Sequence, residues 1–295
     1  MTEAALYKLL TWSSPAYPTG AFSYSHGLEW AVEAGDVTST HELLNYVTAV
    51  LTRGGGWIDT VLFAHAWRAT QWDDSSEQEH RAQQEAHLQQ QGHLQQQAHL
   101  RQQGHLRQQG HPEQQAHPRQ QGHPEQQGHP RRQPNPHHDS PSPLEHLTQL
   151  AAAFRGSAET ALESRQQGTA FLDVTRKAWP HPTLEVLAKQ SAITDTPVTH
   201  CIAVAVACAA HEIPLRPALH AYVHAVAANL VSAGARLIPL GQTQAQIAIA
   251  RLSTTITGIV DRALITSLDD LGTAAPAVEL CSLHHETQYT RLFRS

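Results

Sequence analysis

The chain has 295 residues, 40% of them hydrophobic, and a formal charge of −6 at pH 7. That balance speaks against a nucleic-acid binder, which needs a basic surface to displace counterions from phosphates. Three cysteines, Cys201, Cys208 and Cys281, without Cys-x-x-Cys spacing suggest neither a disulfide framework nor structural zinc, and point to a reducing, cytoplasmic setting. The most continuous apolar run, 201–210, is about half the length a membrane span needs, and no basic-then-apolar leader opens the chain, so neither export nor membrane insertion is expected.

Sustained alternation of β-branched residues is missing while helical spacing recurs throughout, which predicts an all-α fold, a multi-helix bundle of about ten helices. In chain order, residues 6–12 read as a short apolar helix. The chain then turns through 14–29, where Pro15 and Pro18 fix φ and Gly20 allows a backbone that a Cβ would forbid. From Tyr24 the pattern is helical again, with Leu28, Ala31 and Val32 on one side, placing Tyr24, Ser25, His26 and Glu29 in the first turns. Ser39-Thr40-His41-Glu42 has the form of a capping box, and Leu43, Leu44, Val47, Val50 and Leu51 follow at helical spacing to a stop at Gly54-Gly55-Gly56. An apolar helix from Trp57 through Trp67 returns antiparallel.

Ser142-Pro143-Leu144-Glu145 is a second capping box, with proline at the first helical position. Helices are then predicted near 143–154, 157–178, 182–192, 197–211, 216–234, 242–256 and 258–270. The one over 197–211 is apolar on most faces and belongs at the centre, with Cys201 and Cys208 as small buried thiols on one side of it. The expected organisation is one all-α domain in two stretches, 1–76 and 141–275, an insert at 77–140 and a tail at 276–295.

From His87 the insert repeats every six residues, as His-Leu-Gln-Gln-Gln-Gly and then variants of it, through His129. Text so rich in glutamine and proline buries too little apolar surface to offset chain entropy, so disorder is expected. Its histidines, His87, His93, His99, His105, His111, His117, His123 and His129, would step around a helix without forming i, i+4 pairs, so no preformed metal site results. In a flexible chain several neutral imidazoles can still converge on nickel or zinc. An expansion tolerated in a surface loop accounts for the tract equally well. His220 and His224 do stand at i, i+4, but with no third ligand nearby in sequence they read as helix-interface histidines.

Catalytic signals are thin. Gly54-Gly55-Gly56 lacks the Gly-Lys-Ser/Thr of a P-loop, and neither a Gly-x-Ser-x-Gly elbow nor a His-Glu-x-x-His occurs, so no catalytic residue and no resident cofactor are expected. At the other end of the chain, Arg291, Leu292, Phe293 and Arg294 mix guanidinium and apolar groups as interface anchors do, on a segment expected to be mobile until a partner holds it.

Three segments carry a resemblance. Ser-Pro-Ala-Tyr-Pro-Thr-Gly-Ala-Phe-Ser-Tyr-Ser-His-Gly-Leu-Glu over 14–29 resembles the N-terminal signature of the UreF family of urease accessory proteins. Pro239-Leu240-Gly241-Gln242-Thr243 with Gln246 resembles that family's Pro-Leu-Gly-Gln segment, although Ala245 stands where many relatives have glycine. His285-Glu286-Thr287-Gln288-Tyr289-Thr290-Arg291-Leu292-Phe293-Arg294-Ser295 resembles its C-terminal tail, while residues 77–140 carry no part of the likeness.

The resemblance implies an all-α, non-enzymatic, dimeric scaffold that joins UreD (also called UreH) and the GTPase UreG and helps insert nickel into apo-urease, with nickel at most a transient ligand of this chain. It associates Arg291 and Phe22 with recruitment of the GTPase, and by motif match extends partner binding to Gly20, Tyr24, His26, Gly27, Glu29, Gly241, Gln242, Tyr289, Leu292 and Phe293. The contrasting class is an autonomous nickel-storage or nickel-chaperone protein working through the histidine tract.

Overall fold

Side-chain caps begin several of the helices. In the computed structural model, which describes residues 1–71 and 141–295, the Thr2 hydroxyl opens α1 (Glu3–Trp12) by accepting the Ala5 N–H. Ser39 does the same for α3 (Thr40–Arg53) through the Glu42 N–H, and Ser142 for α5 (Pro143–Ala153) through that of Glu145, with Pro143 at the first helical position. Ser157 and Thr160 form a reciprocal capping box at the start of α6 (Ala158–Ala178). The other helices are α2 (Leu28–Glu33), α4 (residues 55–71), α7 (Pro182–Thr194), α8 (His200–Ala210), α9 (Leu215–Leu237), α10 (Gln242–Ala263) and α11 (Pro276–His285). The fold is all-α, and no strand occurs among the described residues. The histidine-rich insert and its eight repeat histidines from His87 to His129 lie outside the described residues.

The core is organised around α8, where every side chain from Cys201 to Ala210 is buried, as its all-round apolarity predicts. Alanine, valine and cysteine take little room, so α5, α6, α7 and α9 close around it. The approach is tightest at Gly168 on α6, where a Cβ would lie 2.1 Å from the Val198 carbonyl oxygen. A second layer forms where α9 packs against α3 and α10, and Gly234 of α9 makes room for the branched end of Leu43.

Several boundaries differ from the sequence reading. The second helix does not begin at Tyr24. Residues Ala21–Ser23 make one 3-10 turn, Tyr24 is extended, His26 and Gly27 take left-handed backbone with φ of 54° and 75°, and α2 starts at Leu28. The break between α3 and α4 occupies Gly54 alone, since residue 55 is already helical. One helix, α10, replaces the two predicted over 242–256 and 258–270, with a 3-10 turn at Leu268–Asp270 after it. Gly258 faces open space, and the buried stripe of Ile256, Ile259, Val260 and Ala263 continues past it. An interior glycine costs roughly 1 kcal/mol, which burial of that stripe outweighs. Finally, α11 lies inside the stretch read as a tail, opened by Pro276 at its first position.

Candidate functional site

Two of the three segments singled out in the sequence meet on α6. Tyr17 packs inward with its hydroxyl 2.8 Å from Thr175 Oγ1 and its ring on Phe171, which anchors the turn as a core element. The chain then rises through Gly20 and brings Tyr24, Ser25 and His26 alongside the last residues of the sequence. Ser25 donates its backbone N–H to the Ser295 main-chain oxygen at 2.7 Å, and the same oxygen accepts from the Ser25 hydroxyl. Arg294 N–H donates to the Ser23 carbonyl at 2.8 Å. The segment after α11, expected to be mobile, is therefore held by the chain itself.

Glu29 is the centre of that hold. It sits in the first turn of α2, is 7% exposed, and accepts the backbone N–H groups of Leu292 and Phe293 at 2.6 and 2.8 Å. It also faces His285 Nε2 at 3.1 Å, while Nδ1 of the same ring lies 2.6 Å from Glu159 Oε2. The other oxygen of Glu159 accepts from Arg291 Nη1 at 2.7 Å. One turn along α6, Glu163 receives Gln167 Nε2 and the Ser295 hydroxyl at 2.8 Å each, and lies 3.1 Å from His26 Nε2. Three buried carboxylates thus stand against one guanidinium and two imidazoles. Burial pulls the His26 pKa down, but the charge and hydrogen bond of Glu163, helped by Asp59, outweigh it and leave the group above its ordinary value.

His26 is among the few described non-glycine residues with positive φ. Its carbonyl is fixed by the Tyr46 hydroxyl at 2.7 Å. A non-glycine residue is disfavoured there, and the local backbone sets the imidazole against Glu163. Its side chain lines a cleft of about 240 Å³ with Arg155, Ser157, Thr160, Glu279 and Ser282. Arg155 reaches Asp59 Oδ1 at 2.8 Å, and that partner holds the guanidinium charged against burial.

The expected partner-binding residues divide by exposure. Phe22 (65%), Leu292 (65%) and Tyr289 (103%) point outward, and the Arg291 side chain is 40% exposed. Tyr24, Glu29 and Phe293 are buried and serve the packing of this chain. The Tyr24 hydroxyl donates to Gln166, and Phe293 lies under the Arg236 guanidinium, 4.3 Å from its ring centre. Gly20 and Gly27 are backbone positions with φ of 75° each. Gly241 and Gln242 begin α10, exposed, and take no part in the hydrogen bonding that joins the other two segments.

Arg236, Glu159 and Glu163 were not singled out by sequence. Arg236 links both ends of the site, since its Nη2 also donates to the Phe22 carbonyl at 2.8 Å. A signal for the acids existed: Glu159 and Glu163 fall on the same helical stripe as Gln167, Phe171 and Thr175, all buried on α6. The other candidate chemistries find little support. Burial raises the Cys201 thiol to about 12 and pushes the Cys208 thiol up as well, so neither is a thiolate at neutral pH. No cluster of three or more histidine, cysteine or acidic side chains suited to a metal occurs among the described residues, and His224 is solvent-exposed. No described helix is long and apolar enough to cross a membrane.

The UreF family model matches residues 135–253. The chain is 39% identical over 293 residues to the urease accessory protein UreF of Rhodopseudomonas palustris strain TIE-1, covering 99% of this chain and 93% of that protein. It is 38% identical over 292 residues to the protein of that name from Bradyrhizobium diazoefficiens, covering 99% and 92%, and 41% identical over 293 residues to that of Granulibacter bethesdensis, covering 99% and 95%. These alignments extend across residues 77–140, which the resemblance read from motifs left out. At such identity over nearly the whole of both chains, this protein belongs to the UreF family of urease accessory proteins.

Proposed function

We propose that the chain is a non-enzymatic scaffold for urease maturation, a cytoplasmic homodimer that joins the accessory protein UreD (UreH) and the GTPase UreG on apo-urease and supports nickel insertion. The observation that carries the reading is the convergence of the two motif segments. The docked tail gathers Tyr289, Leu292 and the outer part of Arg291 onto the surface, while Phe22 stands exposed on the turn that Arg236 ties to Phe293. Aromatic, aliphatic and guanidinium groups held on a fixed backbone make a surface suited to protein recognition, because little conformational entropy remains to be lost on binding. Nucleotide turnover belongs to the partner in this reading, since the sequence carries no P-loop motif.

The test is co-expression of the full chain with UreD and UreG, followed by co-purification and measurement of complex mass. A ternary complex whose GTP hydrolysis disappears with UreG supports the reading. Elution of the chain alone, or GTP turnover by the purified chain in the absence of UreG, overturns it.

A further inference from the structure

We propose that the cleft lined by His26, Arg155 and Glu279 binds a small free α-amino acid, its carboxylate on the donors of Arg155 and His26 and its ammonium on Glu279. The proposal goes beyond the scaffold reading and does not rest on it.

One wall of this cleft supplies hydrogens that nothing in the chain accepts. The Arg155 side chain is only 8% exposed; its Nε donates to the Ala151 carbonyl at 2.9 Å and its Nη2 to Asp59 Oδ1 at 2.8 Å. Nη1 has no partner among the described residues, yet it is not sealed in, so its two hydrogens serve the cleft that the side chain lines. His26 lines the same cleft with its side chain 22% exposed, Nε2 set against Glu163 at 3.1 Å and Nδ1 unbonded among the described residues. A charged ring, which Glu163 favours, carries a hydrogen at Nδ1 as well. Asp59 and Glu163 answer the two positive charges, and neither of them lines the cleft.

Glu279 is the counterpart. Its carboxylate has no hydrogen bond or ion pair among the described residues, and its stem passes over Gly156, the residue after Arg155: a Cβ on Gly156 would lie 3.6 Å from Glu279 Cγ. Two positive groups, Arg155 and His26, thus stand among three negative ones, Asp59, Glu163 and Glu279. A simple anion would deepen that imbalance beside Glu279, and a simple cation would leave the Arg155 hydrogens without an acceptor. A molecule carrying both charges satisfies donors and acceptor together and leaves the net charge as it was. Size points the same way, since about 240 Å³ is below the roughly 300–1,000 Å³ of sites for drug-sized ligands. Phe154 and Val278 add apolar wall, which suits a short side chain.

The experiment is equilibrium dialysis of the isolated full chain against radiolabelled glycine, L-alanine and L-serine, with acetate and ethylammonium as controls that carry one charge each. At least one of the amino acids should bind with a Kd at or below about 1 mM, and each control at least about tenfold more weakly. Glu279→Gln, which breaks no bond within the described residues, should weaken the amino acid at least about tenfold without weakening acetate. Arg155→Lys, which keeps the charge but lacks the free Nη1 hydrogens, should weaken the amino acid and acetate alike. Failure of all three amino acids to bind at about 1 mM or tighter overturns the proposal. So does acetate or ethylammonium binding as tightly as the amino acids, or amino-acid binding left unchanged by either substitution. If Arg155→Lys loses helical circular dichroism, Glu279→Gln and the single-charge controls decide. No partner protein is present, so the result leaves the scaffold reading untouched.

Discussion

Gly27 and Ser282 meet backbone to backbone: a Cβ built on Gly27 would lie 2.5 Å from the Ser282 amide nitrogen. Two separate demands therefore fall on one glycine, a left-handed φ of 75° and contact with α11 closer than any side chain allows. Gly20 has the same φ with nothing within 4 Å of the position a Cβ would take.

The pair makes a controlled comparison. Gly20→Ala should cost only the backbone penalty, roughly 1 kcal/mol, while Gly27→Ala adds displacement of α11 and should cost about 3 kcal/mol or more. Chemical denaturation of the two variants measures both, and equal losses would show that α11 moves aside freely.

His26 gives a pH dependence whose sign follows from its raised pKa. A base with a folded value above its ordinary 6.5 contributes stability that is complete below 6.5 and is lost as pH rises through the folded value. Asparagine tolerates left-handed backbone, so His26→Asn separates charge from strain. The stability gap between wild type and His26→Asn should be widest in mild acid and narrow as pH rises; a gap that widens toward alkaline pH contradicts the assignment.

Asp59 and Arg155 form a largely covered ion pair, with side chains 15% and 8% exposed. Removing one partner strands the other, so Asp59→Ala should destabilise by about 3–5 kcal/mol. Replacing both with apolar residues of similar volume should recover most of that loss. A double-mutant cycle by denaturation provides the measurement.

Arg291 is bonded to Glu159 yet is 40% exposed, so its pair contributes at most about 1 kcal/mol to folding. Arg291→Ala should keep the helical circular dichroism of wild type while weakening capture of UreG by the UreD-bound chain more than about tenfold, as truncation of a central arginine in an interface commonly does. Lysine should rescue poorly, because it lacks the planar fork. Normal capture by the folded variant would remove Arg291 from the interface.

Much of the helical framework was legible because its signals are local. Ser39 and Ser142 mark starts within three residues of the groups they cap, and the apolar text of 201–210 announces burial without reference to any partner. The break expected between 242–256 and 258–270 failed for the same reason: the stripe of Ile256, Ile259, Val260 and Ala263 across it is satisfied by packing that a local reading does not contain. The docked tail was hidden more deeply. Glu29 and Phe293 are 264 residues apart, and nothing in either neighbourhood encodes their bond. The motif segments were found, but as free surface, because a run such as Arg291-Leu292-Phe293-Arg294 has the same composition whether its phenylalanine faces a partner or its own core.

Glu29 grips the tail by main-chain hydrogens, at Leu292 and Phe293, and main-chain hydrogens are the same for every residue but proline. The outward letters at 289, 290 and 292 can therefore be exchanged without loosening the grip, but one residue added between His285 and Leu292 would shift every bond after it. Substitution at those positions thus changes what the segment displays, whereas a change of length would displace the grip. A library randomised at those outward positions would sample new surfaces on a constant mount.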